Sequence, residues 1–502
     1  MGLRAVPEIR IRKCNGRAIR GDGEYVLYWM IANRRLQYNF SLDRALEHCA
    51  ALKKPLLIFE ALRVDYQWAS DRMHALVLQG MADNVRTCEK HGVRYFPHVE
   101  TAPDADKGLL AALAEKACVV VTDDFPCFFL PRMIASAATK LPVLLEAVDS
   151  NGLLPMYATQ QVAQRAFDFR RYLQKELPKH IREVPQADAL AKAKLGSAAE
   201  IPKTIAKKWP AASPELLAAD SGALRSLPID HSVGQACLKG GHGEARKHML
   251  DFLGKKLPHY AEQRNEPELD MGSGLSPYLH FGFLSVHEVL VELARREKWK
   301  PEKLALRVNG AREGWWNMSP AAEGFLDELI TWREVGYNFA SHRQDYAGYE
   351  SLPDWAKKTL QEHAKDEREH IYASEEFEAG RTHDALWNAA QMQLVREGRI
   401  HNYLRMLWGK KILEWSRTPQ QAAEIMIHLN NKYGLDGRNP NSYSGIFWVL
   451  GRYDRPWGPI RPIFGTIRYM SSENTARKVS VKNYIKKYAP IEAQVEQRQL
   501  SL

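Results

Sequence analysis

The chain has 502 residues, 45% hydrophobic and 26% charged, the mix of an ordinary globular protein with room for two or three domains. Lys and Arg number 70 against 60 Asp and Glu, and the surplus of +10 suits a polyanionic partner without specifying one. No stretch reaches the eighteen or so apolar residues of a membrane span, and the basic start MGLRAVPEIRIRK lacks the apolar core of a secretion signal, so membrane and disordered classes are set aside. The six cysteines (14, 49, 88, 118, 127 and 237) include no CxxC pair. That spacing argues against a disulfide framework or a zinc site, and a reducing cytoplasm is the expected location.

In chain order, short apolar runs at 26–30, 56–59, 95–98, 118–122 and 142–145 predict strands. Helix-period segments lie between them. Ser41 is placed to cap 42–53, Ser70 or Asp71 to cap the next helix, and Gly92 to close it. Such alternation predicts an α/β domain over 24–180 with a Rossmann-like parallel sheet. No GxGxxG follows the first strand and no GxxxxGK[ST] occurs, so the usual phosphate cradles are missing. Residues 181–234 are rich in Ala, Lys and Pro and read as a linker with short helical turns. From 235 to 490 strand signals nearly vanish, and helix starts recur as Ser276-Pro277, Ser319-Pro320 and Thr418-Pro419. This half is expected to be all-α.

Four segments could carry chemistry. Tyr260 and the run Gly272-Ser273-Gly274-Leu275-Ser276-Pro277 offer backbone N–H groups and hydroxyls at a helix start, although locally an ordinary cap is the better reading. In a helix over 320–336, Phe325, Leu329 and Trp332 share a face with Glu328 one turn before Trp332. In 401–415, Asn402, Arg405, Met406 and Lys410 line one helical face, where an amide and a guanidinium can read a planar heteroaromatic edge. Trp408 and Trp415 follow seven apart, with Trp387 on the preceding helix. Asn430, Asp436 and Asn441 belong to a turn-rich stretch of amides and glycines. Of the 13 tryptophans nine come after residue 314, and by residue type alone such clusters are more often core than wire.

Taken together, SGLSPYLHFG, DELITWRE, RTHDALWNAAQ, HNYLRMLWGKKILEW, LNNKYGLDGRNPNSY and RPIFGTIRYM closely resemble class II cyclobutane pyrimidine dimer photolyases of the photolyase/cryptochrome superfamily. The likeness covers the chain after residue 24 and is dense from 255 to 470. It implies an antenna-type α/β domain, and a helical domain over 235–490 that holds FAD. A deazaflavin or other antenna chromophore is a further expectation. By resemblance, Tyr260, Ser273, Leu275 and Ser276 hold the phosphates and ribityl chain, and Asn402 meets the flavin or adenine side. Arg405 pairs with Asp436 near the flavin N5/O4 edge, and Asn430 faces N5 with Asn441 as runner-up. Glu328, Trp332, Met406 and Trp448 line a lesion pocket, and Trp387, Trp408 and Trp415 form a photoreduction chain. Arg452, Arg455, Arg461 and Arg468, with Arg477 and Lys478, hold phosphates beside the lesion.

The implied reaction is light-driven splitting of pyrimidine dimers in DNA by an electron from excited FADH⁻. It needs no metal and no membrane, and the enzyme is expected to act as a monomer. The sequence departs from the pattern at Phe283-Leu284-Ser285-Val286-His287-Glu288, where Glu288 replaces an Arg near the lesion strand, at Asn439, and at Leu407 before the proximal Trp. The alternatives are a cryptochrome-like blue-light receptor with the same flavin, disfavoured by the short stretch after 488, and a basic nucleic-acid-binding protein without cofactor.

Overall fold

The computed structural model describes residues 4–193 and 195–490; positions 491–502, which bear on the tail expectation, lie outside them. The chain divides into two compact units that interleave along the sequence. The first comprises 1–160, 176–250 and 275–304, and the second 161–175, 251–274 and 305–502.

The first unit is built on a six-stranded sheet of order β1-β6-β5-β2-β3-β4. The strands are β1 (Ile11–Lys13), β2 (Tyr25–Met30), β3 (Leu56–Leu62), β4 (Arg94–Val99), β5 (Ala117–Asp123) and β6 (Leu145–Val148). The sheet is parallel except for β1, which pairs antiparallel with β6 and went unread because three residues carry no period. The expected strand at 142–145 is displaced to Leu145–Val148. β2 and β5 are buried at every position, as mostly apolar strands in a doubly covered sheet must be, with Thr122 and Asp123 closing β5. Gly23 lets the chain enter β2, since a Cβ there would sit 2.6 Å from the Cys118 nitrogen.

The missing phosphate cradle has a structural counterpart. Asp123, at the end of β5, accepts the backbone N–H groups of Ile31, Ala32 and Asn33 at 2.8–2.9 Å and the Tyr28 hydroxyl at 2.8 Å. The donors that follow the first parallel strand are thus already held by the protein's own carboxylate.

Helix starts follow local chemistry, with changes of detail. Asn39, not Ser41, caps Phe40–Leu52, while Ser70 precedes Asp71–Lys90 without a side-chain cap bond. Gly92 has φ +65°, as a helix stop requires. The 181–234 stretch is packed rather than a solvated spacer: Trp209 is buried and donates to the Ala105 carbonyl at 3.0 Å, and Leu224 and Leu227 are buried. Residues 275–304 join the sheet unit because Phe283 fills the space beside Gly80 and the Gly282 carbonyl accepts from Arg35 at 3.0 Å.

In the second unit Ser319 caps Pro320–Leu326, Asp384 caps Ala385–Glu397, Thr418 caps Pro419–Tyr433 and Asn439 caps Pro440–Val449. Among the described residues no helix is long and apolar enough to cross a membrane.

Candidate active site of the helical unit

The helix that begins at Pro320 widens into a π-helical segment, Asp327–Trp332, before continuing as Arg333–His342. A π segment inside an α-helix often marks a functional site. Between Ala321 and Ala340 four residues escape burial: Ala321, Gly324, Glu328 and Trp332. Their spacing of three, four and four places them on one helical stripe. Two adjacent carboxylates then part ways. Asp327 is closed off in a bidentate pair with buried Arg170 (2.7 and 3.0 Å). Glu328 faces the open side, its carboxylate 2.8 Å from Arg264, which itself lies over the Tyr260 ring at 5.4 Å. Burial raises the Glu328 pKa, Arg264 opposes the rise and Asp327 adds to it. Tyr260 is buried against Phe252 and Phe325, and burial pushes its hydroxyl up to about 12.

Asn402–Trp415 contributes a second opening. Asn402 is exposed and Tyr403, Arg405 and Met406 are half-buried, whereas Leu407–Leu413 are buried throughout. Arg405 reaches Asp436 at 3.1 and 3.2 Å. Its Nε is buried without an acceptor among the described residues, a donor left over for a ligand. Lys410 does not share this face. It is buried, donates to the Val449 carbonyl, and desolvation lowers its pKa to about 7. Gly409 permits that close approach, because a Cβ would lie 2.6 Å from Val449 Cγ2.

Pro440–Val449 supplies the third stripe, in which only Asn441, Gly445 and Trp448 are incompletely buried. A Cβ on Gly445 would meet no atom within 4 Å. Trp448 stacks on Trp332 with ring centroids 4.3 Å apart and planes at 18°, joining this stripe to that of Glu328. Asn430 lies off the stripe: it is buried, with its amide 2.5 Å from the Ser442 hydroxyl. Asn441 is on it. Ser273 is half-buried in this unit, while Leu275 (buried) and Ser276 (exposed) belong to the first unit. Ser276 is the first residue of Ser276–His280 and gives no side-chain cap, contrary to the cap expectation.

The three tryptophans are all buried. Trp387 donates its indole N–H to the Trp408 carbonyl at 2.9 Å, and Trp408 donates to Gln391 at 2.9 Å. Trp387 and Trp415 meet edge to face at 5.9 Å.

Arg452 is corrected by the structure. It is 2% exposed, its guanidinium 3.7 Å from the Phe339 ring and 4.6 Å from Phe447, and it donates to the Ser351 hydroxyl. Burial lowers its pKa to about 10. Such a group braces the fold and has no surface to offer a phosphate. Arg455, Arg461 and Arg468 are exposed. Arg455 and Arg468 lie 5.0 and 5.4 Å from the ring of Trp457, an exposed aromatic that sequence reasoning passed over although RPWGPIRP sets it between two arginines. Arg264 was also missed, and only its place one turn after Tyr260 could have marked it. Glu288 is buried in the first unit beside His242 (2.9 Å) and Arg246 (3.3 Å), so it is held as a structural ion pair. Among the described residues no group of three His, Cys, Asp or Glu side chains is placed to hold a metal.

A mixed α/β sheet unit with such a helical unit defines the photolyase/cryptochrome fold. Similar structures include a class III photolyase from Agrobacterium tumefaciens (TM-score 0.66, 17% identity, 93% of this chain and 87% of that one). The Synechocystis cryptochrome is alike in fold to the same degree (TM-score 0.67, 16% identity, 93% and 88%). No protein-family model matches the chain. The deoxyribodipyrimidine photo-lyase of Methanothermobacter thermautotrophicus is 32% identical over 477 residues, 95% of this chain and 97% of the relative. That of Potorous tridactylus is 30% identical over 504 residues, 97% of this chain and 87% of the relative. The chain therefore belongs to the deoxyribodipyrimidine photo-lyase family, whose activity is DNA repair.

Proposed function

We propose that the protein is a class II enzyme that splits cyclobutane pyrimidine dimers, with FAD held by the helical unit. The carrying observations are the two open stripes joined by the Trp332–Trp448 stack, and the opening on Asn402–Trp415 where Arg405 keeps a buried Nε donor without an acceptor among the described residues. FAD fits the residues present. Arg405 retains a buried donor for a carbonyl or ring-nitrogen edge, Asp436 keeps the guanidinium paired, and Gly445 leaves open space on the stripe of Asn441 and Trp448. Within the helical unit, Tyr260, Ser273, Asn402, Arg405, Asp436 and Asn430 or Asn441 would hold the group. When bound and reduced, it supplies the light-excited electron that opens the dimer.

The remaining work falls to side chains. Photolyases extrude their target nucleotides, because a dimer within a duplex cannot reach a buried site. Trp332 and Trp448 offer apolar faces for the extruded bases, each worth about 1–3 kcal/mol by stacking. Met406 closes the wall with an adaptable thioether. Glu328, whose pKa burial raises against the opposing pull of Arg264, faces the open stripe, where its carboxyl can bond the edge of an extruded base and, whenever protonated, donate to the charge that develops there. Trp387, Trp408 and Trp415 conduct an electron inward to restore an oxidised cofactor. Arg455, Arg461 and Arg468, with Trp457 between two of them, grip flanking phosphates irrespective of sequence. Illuminating the reduced holoprotein with an oligonucleotide bearing one thymine dimer tests the reading. Loss of the dimer is expected; an unchanged lesion under full flavin reduction overturns it.

A further inference from the structure

Past the third tryptophan lies an aromatic cluster that lesion repair does not use. Trp415 is buried, and its ring is met edge to face by Tyr372 (centroids 5.7 Å, 79°) and by His383 (4.9 Å, 64°). The Tyr372 backbone N–H donates to the Trp415 carbonyl at 3.2 Å, which fixes the two rings together. The Tyr372 hydroxyl lies 2.7 Å from His383 Nδ1 and also accepts the His383 backbone N–H at 3.0 Å. In the Nε2–H tautomer of His383 the phenolic O–H donates to Nδ1 while the oxygen accepts the backbone N–H, and this is the arrangement the transfer proposed below uses. His370 stacks on His383 at 3.8 Å and 29°. Tyr372 and His370 are half-buried and His383 is exposed, so the cluster reaches solvent.

We propose that Tyr372 and His383 form a proton-coupled terminal electron donor to Trp415. This deepens the reading of Trp387, Trp408 and Trp415 as an electron chain and rests on it. The oxidant at the inner end of that chain is a light-excited, oxidised flavin. Once Trp415 has lost an electron inward, its radical cation takes one from Tyr372, and the phenolic proton crosses to His383 Nδ1. The products are neutral Trp415, a neutral tyrosyl radical and an imidazolium. The backbone N–H of His383 stays on the phenoxyl oxygen, so its lone pair remains satisfied. The imidazolium releases its proton to water at its exposed edge, and a soluble thiol returns an electron and a proton to Tyr372. A phenol stripped of an electron with no base in reach would have to keep a strongly acidic proton, and Nδ1 removes that cost.

The surroundings disfavour the charged form of His383. Burial lowers its pKa and His370 lowers it further; Asp384 raises it, Lys411 lowers it and Glu369 raises it, with a downward result. Acidification is therefore expected to switch the donor off, because protonated Nδ1 can no longer accept.

The test uses oxidised holoprotein and time-resolved absorption with electron paramagnetic resonance. At about pH 8, where imidazole is neutral, a flash should yield a tyrosyl radical in the wild type and none in Tyr372→Phe. The yield of stable flavin reduction in that variant should fall several-fold. His383→Phe keeps a ring against Trp415 and should slow tyrosyl formation by about 100-fold. In the wild type the tyrosyl signal should vanish as the pH is lowered through the His383 transition, which nitrogen NMR locates independently. A flavin-free arm oxidises the protein with a photogenerated ruthenium(III) complex and seeks the same radical at residue 372. Trp387→Phe separates the two levels of the argument. If it leaves flavin photoreduction unchanged, the chain reading fails. If it abolishes photoreduction while Tyr372→Phe leaves the decay of the Trp415 radical as in wild type at every pH, the tyrosine–histidine proposal alone is overturned.

Discussion

Glu328 and Asp327 differ by one position and by nearly everything that matters for chemistry. Asp327 is closed by the Arg170 fork and seals the fold, whereas Glu328 looks onto the open stripe with a single Arg264 contact. Glu328→Ala is expected to slow dimer repair by about 100-fold, the cost of one donor to developing charge, while flavin remains bound. Glu328→Gln retains a donor and should keep more activity. Loss of flavin absorption in the Ala variant would reassign Glu328 to the cofactor. A second carboxyl makes a prediction about stability. Asp43 is 3% exposed, accepts the Gln186 N–H at 2.9 Å, and burial pushes its pKa from 3.8 up to about 7. Between those values the folded chain holds a proton that the unfolded chain has lost, so this contribution to stability is full in acid and disappears as pH rises through about 7. Asp43→Asn has no proton to lose. Its Tm relative to wild type should climb from acidic to neutral pH, and a constant difference would show that Asp43 does not titrate there.

At the scale of elements, the helices that make the site are buried on all sides but one. Gly445 and Gly336 show how each side is used. Gly445 faces open space beside Trp448, so Gly445→Leu should leave the fold intact, with up to about 0.8 kcal/mol gained in helix propensity. The added side chain would fill the proposed cavity, and flavin content or lesion binding should drop sharply. Gly336 lies where two helices touch, since a Cβ there would sit 2.8 Å from the Pro440 carbonyl oxygen. Gly336→Ala should cost about 1–3 kcal/mol by overpacking, read as a fall in Tm. The contrast between the two variants, one functional and one structural, checks the assignment of faces.

Across the whole molecule, the modest charge surplus becomes useful through its distribution. Arg455 and Arg468 stand exposed over Trp457 and Arg461 stands exposed over Tyr469, while Arg452 is locked beneath aromatic rings. Arg461→Ala should therefore reduce the slope of log affinity against log salt by about 0.9, the release of one counterion. Arg452→Ala should lower the Tm with the slope unchanged. Equal slopes in both variants would deny the 455–468 stretch its phosphate role.

Much of this was legible from local rules. Alternating apolar runs announce β2–β5, and Ser319, Thr418 and Gly92 mark helix ends, because caps and periods are properties of adjacent residues. The family motifs name Glu328, Trp332, Arg405 and Trp448 as candidates. Neither route could show that Arg452 and Lys410 are sealed in while Arg461 is free to reach solvent, since all three are simply cations in the sequence. Nor could they show Asp123 occupying the backbone donors after β2, or the 181–234 stretch packed through Trp209. Residue order alone determined most of the strands and helix starts and which family they serve, although β1 and the span of β6 escaped it. Burial, and with it the protonation, pairing and reach of each charged group, is set by neighbours tens to hundreds of positions away, and only the tertiary structure decided it.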